Sequence, residues 1–302
     1  MYSNLPKTEN TLLNKYDQKL HYRYFLSDNH TINSNIFIFH GYGSNINRPN
    51  IQKCADWFTD KGYNVFALDF SGHGYSEGET ALIKCADDLI DEAYHFVNYI
   101  LENYKVGKFF YLFGSSMGGT ICVELAKKMI LEKRFNDVLR GCVILSPLID
   151  LKKRYPGLEY IVQNYFSYYL PNKCFPDWLT FKININDVYN DDEYAQYILE
   201  DYYPQNPDGL TWSKNIKFSS AKSILELISR VKVYTENLSL PILIMHDKDD
   251  KITDAKSSKD FANTNENFLY IETSDAKHDI IANQFDVTVK IIKSFIDKHK
   301  NS

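Results

Sequence analysis

Short apolar runs, each closed by a glycine- or serine-bearing loop, alternate along the chain with segments whose apolar residues return every three or four positions. Lys19 to Phe25 alternates and predicts a half-exposed strand, whereas Asn35 to Phe39 is continuously apolar, as a central strand is. Pro49 to Lys61 predicts a helix with Gly62 as its stop, and Tyr63 to Asp69 another buried strand. Asp87 to Tyr104 follows as an amphipathic helix, with Leu89, Ala93, Phe96, Val97 and Ile100 on one side and acids in its first turns. Lys108 to Phe113 is an aromatic strand that ends in a small-residue turn, Thr120 to Leu131 has helical spacing, and Gly141 to Leu145 is the next short strand. This alternation predicts an α/β fold with a mostly parallel central sheet and helices on both faces.

The rhythm stops near Leu148 and resumes with the buried strand Pro241 to His246. Helix Ala255 to Ala262, strand Asn267 to Glu272 and a final helix over Gln284 to Lys298 complete the pattern. The intervening residues 148–236 are rich in Tyr, Phe, Trp and Pro, with Ser219 to Lys232 as their last helix. A stretch so aromatic has apolar area to bury, so it is expected to pack as a cap over the C-terminal edge of the sheet.

Composition narrows the function. With 302 residues, 44% of them hydrophobic, the chain can bury a large core. A net charge of -5 and the absence of a Lys/Arg block argue against nucleic acid as a partner. Five scattered cysteines without a C-x-x-C indicate neither a disulfide framework nor a zinc site, and fit free thiols in a reducing compartment. The amino terminus lacks an apolar signal region, and Tyr2 stands where myristoylation needs glycine. No run approaches the roughly 20 apolar residues of a membrane span, so the expected location is cytoplasmic.

The chemistry centres on Gly114-Ser115-Ser116-Met117-Gly118, which matches G-x-S-x-G in one register, between a strand and a helix. A serine lifted out of a strand on a sharp turn leaves no room for Cβ atoms two residues either side, which is why glycine stands at both places. Ser116 is the candidate nucleophile. Serine needs a base within hydrogen-bond reach, itself oriented by a carboxylate, and on this scaffold the order is Ser, Asp, His, with both partners on loops after later strands. His278 follows the last strand, and Asp250 lies four residues past His246, with Asp249 beside it. The oxyanion hole is expected from the backbone N–H of Met117 and of Tyr42, in the turn His40-Gly41-Tyr42-Gly43. His40 is expected to brace that turn. Distortion at Gly41 or Gly43 should therefore cost chemistry more than stability. No metal or cofactor is required.

Three stretches make the chain resemble the α/β-hydrolase superfamily, and within it the monoacylglycerol lipase and lysophospholipase group: His40-Gly41 after a buried strand, Gly72-His73-Gly74-Tyr75-Ser76-Glu77-Gly78-Glu79, similar to G-H-G-x-S-E-G-E, and Gly114 to Gly119, similar to G-x-S-M-G-G. The resemblance spans nearly the whole chain, implying one domain over 1–302 with the cap at 148–236 inserted in it. It also implies Asp250 rather than Asp249 as the acid, by the motif H-G-x-x-D-x-x-V, although Asp247 stands where the group usually has glycine. In monoacylglycerol lipases a glutamate and an arginine meet the glycerol hydroxyls. Here those positions read Ser44 and Arg48, which makes Arg48 a candidate substrate contact. A polar histidine of that group corresponds to Ile281.

An aromatic cap over a serine suits a long acyl chain, so the expected substrates are single-chain lipids, monoacylglycerol or lysophospholipid, cleaved through an acyl-serine intermediate. The Tyr and Trp residues of the cap suit transient membrane contact. The rate should fall with pH through roughly 6 to 7, the usual range for histidine. Tyrosines near Asp191, Asp192, Glu193, Glu200 and Asp201 offer a cradle for a choline cation, or are core aromatics beside solvated acids. Alternatives are a carboxylesterase for small soluble esters, a serine peptidase, and an inactive hydrolase fold used for binding. An epoxide hydrolase or dehalogenase would need a carboxylate at position 116.

Overall fold

The computed structural model describes residues 7–28, 34–179 and 183–300, so the start of the amino-terminal segment, Met1 to Pro6, lies outside the described residues. The described residues form ten strands: β1 (Thr11–Leu13), β2 (Lys19–Phe25), β3 (Ser34–Phe39), β4 (Asn64–Leu68), β5 (Phe109–Ser115), β6 (Leu139–Leu145), β7 (Tyr202–Tyr203), β8 (Thr211–Trp212), β9 (Ile242–Asp247) and β10 (Phe268–Thr273). Eight form one sheet in the order β1-β2-β4-β3-β5-β6-β9-β10. It is parallel from β4 to β10, and β1 and β2 join antiparallel.

Helices α1 (Pro49–Thr59), α2 (Ala86–Asn103) and α3 (Met117–Leu131) connect the first parallel strands. The period of two in β3 sorts the core into layers: Phe37 and Phe39 face one side, Ile36 and Ile38 the other. On the first side Phe37 meets Phe66, Phe96 and Phe110, with ring centroids 5.4 to 5.7 Å apart. Buried aromatic pairs of this kind contribute roughly 0.5–1.5 kcal/mol beyond their area. The second side is closed by α1 and by α9 (Ile280–Asn283) and α10 (Phe285–His299), while α8 (Ala255–Ala262) covers the first.

Strand β2 departs from the alternating prediction. Leu20 through Arg23 are all buried, because His21 donates to Asp69 at 2.8 Å and Arg23 to Asn47 at 2.8 Å, so loops cover its polar face.

Between β6 and β9, no described residue adds a strand to the main sheet. This inserted segment holds α4 (Pro156–Ile161), which runs through a π-helical turn over Val162–Phe166 into α5 (Ser167–Tyr169), then α6 (Asp192–Glu200), the small β7-β8 pair and α7 (Phe218–Val231). Asp191 caps α6, and Tyr189, Tyr194 and Ile198 form a separate cluster. Helix α7, expected as the last helix of the cap, packs two ways: Phe218 and Ala221 meet Val162 and Phe175 of the inserted segment, while Ile224, Leu227, Ile228 and Val231 join the main core. Among the described residues no helix is long and apolar enough to cross a membrane.

Candidate active site

The chain leaves β3 toward one edge of the sheet and β5 toward the other, and a crevice at the carboxyl ends of such strands is where open α/β sheets bind ligands. The β5–α3 turn sits there. Ser116 has φ +54° and ψ -122°, a conformation that costs a non-glycine residue roughly 1–3 kcal/mol. The surrounding packing enforces it. A Cβ at Gly114 would strike the Gly118 backbone, and one at Gly118 would strike the Phe39 carbonyl. Ser116 N–H donates to Leu145 O at 2.9 Å, fixing the turn to β6.

Ser116 and His278 line one cavity of about 720 Å³, together with Tyr42 and Met117. His278 is buried, and its Nδ1–H donates to Asp250 Oδ2 at 2.7 Å, which leaves Nε2 as the proton acceptor. Asp250 Oδ2 also receives His246 Nε2 at 3.2 Å and the Thr253 hydroxyl at 2.9 Å, and its Oδ1 receives the Ile252 and Thr253 amides at 2.7 and 3.2 Å. Burial alone would raise the Asp250 pKa, but the His278 charge and the hydrogen bonds from both imidazoles hold it well below the carboxylate range. Asp249 is exposed, and its backbone N–H donates to Asp247 Oδ1 at 2.9 Å.

Met117 opens α3, where the first amides of a helix have no intrahelical acceptor. Among the described residues neither its N–H nor that of Tyr42 is spent on a protein acceptor. His40 braces the neighbouring turn: Nδ1–H donates to Gly41 O at 2.7 Å while Nε2 accepts from Phe70 N–H at 3.1 Å. Burial pushes its pKa down, keeping it neutral.

Arg48 lies in the cavity wall, but its terminal nitrogens donate to Tyr189 Oη at 2.8 Å and Thr211 Oγ1 at 3.0 Å, both in the inserted segment. Ser44 and Ile281 line the same cavity. Leu148, Leu158, Val162, Phe175, Ile224 and Leu225 give it an apolar wall. Residues Val188–Asn190 fasten the inserted segment to the His278 loop: Val188 O accepts from Asn283 Nδ2 at 2.7 Å and Asp279 N at 3.4 Å, Tyr189 O accepts from Lys277 Nζ at 2.7 Å, and Asn190 donates to Asn283 and Asp275.

Sequence reasoning missed His246 and Thr253 as partners of Asp250. Only the spacing of H-x-x-x-D hinted at the first, since i and i+4 meet where a strand turns sharply.

Fold and site together define a hydrolase of the α/β class that resembles the monoacylglycerol lipases. The sequence profile of the family described as serine aminopeptidase S33 (Hydrolase_4) matches residues 31–284, and the chain belongs to that family. A monoglyceride lipase of Rattus norvegicus is 27% identical over 260 residues, covering 85% of this chain and 77% of the relative. Among solved structures, a soluble variant of the Saccharomyces cerevisiae monoglyceride lipase in complex with a substrate analog superposes with a TM-score of 0.75 at 19% identity, covering 98% of this chain and 96% of that one. The Paleococcus ferrophilus monoacylglycerol lipase gives 0.73 at 18% identity, covering 92% and 98%.

Proposed function

We propose that the protein hydrolyses the ester of single-chain lipids, monoacylglycerol or lysophospholipid, through an acyl-Ser116 intermediate. The carrying observation is a strained serine that shares a largely apolar cavity with an imidazole bonded to a buried aspartate. In this reading His278 Nε2 takes the Ser116 proton as Oγ attacks the ester carbon, and the Tyr42 and Met117 amides receive the oxyanion. The alcohol leaves with the proton that His278 returns, and water, deprotonated by the same nitrogen, releases the fatty acid. Asp250 holds the histidine tautomer. Arg48 contributes its remaining guanidinium hydrogens to the headgroup oxygens, and the inserted segment serves as the cap.

The likeness to monoglyceride lipases supports an ester of glycerol, and the apolar wall supports a long chain. Each methylene withdrawn from water contributes about 0.8 kcal/mol, roughly a fourfold gain in kcat/KM while the cavity has room. A series of p-nitrophenyl esters should therefore rise from acetate to decanoate. A peak at acetate would replace this reading with a small-ester carboxylesterase. Monoacylglycerol and lysophosphatidylcholine of one chain length then separate the headgroups.

Transient membrane contact through the cap belongs to the same reading. Tyr168, Tyr169 and Trp178 are 66%, 80% and 80% exposed, and such rings favour a lipid–water interface. Replacing Tyr169 and Trp178 by Asp should weaken co-sedimentation with phospholipid vesicles. Unchanged sedimentation would remove the contact from the account.

A further inference from the structure

One carboxylate joins the loop that carries Asp250 to the loop that carries His278. Asp247, the last residue of β9, is buried, and its Oδ1 accepts the Asp249 N–H at 2.9 Å, at the start of the turn that delivers Asp250. Its Oδ2 accepts the Ala276 N–H at 2.7 Å and the Thr273 hydroxyl at 3.5 Å. Ala276 stands two residues before His278, between Asp275 at φ +60° and Lys277 at φ +49°. Left-handed backbone at non-glycine residues is uphill and persists only where the surroundings over-determine it. Here they do so from two sides. Asp247 holds the Ala276 amide, and Asn283 Nδ2 donates to the Ala276 carbonyl at 2.6 Å.

Asp247 itself is not among the left-handed residues, so its backbone places no demand for glycine. The group that the chain resembles usually has glycine there, which offers nothing to bridge the two loops. Asp247 also lies outside the cavity lining.

We propose that Asp247 is a positioning residue that clamps the acid loop and the base loop in register, so that Asp250 Oδ2 and His278 Nδ1 meet. This rests on the triad reading above. Loss of the clamp lets the imidazole leave its productive orientation without altering the surface that binds substrate, so it should act on kcat and spare KM.

The test counts active sites with a fluorophosphonate probe, then measures kcat and KM per reactive site for wild type, Asp247→Ala and Asp247→Asn. Misplacement on the order of 1 Å costs up to about 10²-fold, so Asp247→Ala should lose about ten- to a hundredfold in kcat with KM within about twofold. Asp247→Asn keeps the volume and one acceptor oxygen but turns an NH₂ toward the other amide, so its loss should fall between wild type and Asp247→Ala. In both variants the proton resonance of His278 Nδ1 should shift or broaden, which a change in stability alone would not produce. Wild-type kcat per site with an unmoved resonance overturns the proposal, and if Asp247→Ala fails to fold, Asp247→Asn decides by the same readings. Wild-type protein that does not react with the probe is a separate result and sinks the triad reading itself.

Discussion

Ser116→Ala should lower kcat by about 10⁵- to 10⁶-fold on a medium-chain ester and abolish labelling by a fluorophosphonate, while leaving substrate binding nearly intact. The size of the effect comes from losing the covalent route altogether, since the backbone amides at Tyr42 and Met117 can still polarise a bound ester but nothing attacks it. Thermal stability should hold, because alanine inherits the same strained backbone and the Ser116 N–H still meets Leu145 O at 2.9 Å. A variant retaining a tenth of the wild-type rate would take the nucleophile away from position 116. Wild-type protein inert to the probe would leave a hydrolase fold used for binding.

The second large effect is expected at Asp250. Asp250→Asn should reduce kcat by about 10⁴-fold, because an amide facing Nδ1 favours the wrong tautomer and no longer stabilises the imidazolium. The carboxyl itself stays ionised across the neutral range. Its pKa is depressed by folding, so the stability it contributes is present above about 3.9 and disappears only as pH falls toward the depressed value. Asp249→Asn, on an exposed side chain, should keep the rate within about twofold. Equal losses at 249 and 250 would unseat Asp250.

Local periodicity made much of the frame legible. Strand β2 and helix α8 fall within the predicted bounds because alternation and helical spacing are properties of neighbouring residues. The serine turn could be read for the same reason: Gly114, Ser116 and Gly118 lie within one pentapeptide. What stayed hidden is carried by contacts between residues far apart. His21 and Arg23 look like the wet face of a strand until Asp69 and Asn47 fold over them. Ser219 to Lys232 follows an aromatic insertion and so reads as its continuation, and its second set of contacts, with the main core, has no local signature. Arg48 and Tyr189 are 141 residues apart, and no spacing rule announces that the arginine spends two nitrogens on the inserted segment. Asp247 reads only as a departure from glycine until Ala276, 29 residues later, brings its amide to it.

The two shoulders of the cavity mouth are mechanically unequal. Residues Val188–Asn190 are stitched to the very loop that bears His278, whereas α4 and α5 rest mainly on apolar contact with α7. Raising the stitched shoulder would drag the imidazole along and dismantle the machinery at the moment a ligand enters. Were α4 and α5 to lift instead, those bonds would hold and His278 would keep its place beside Asp250.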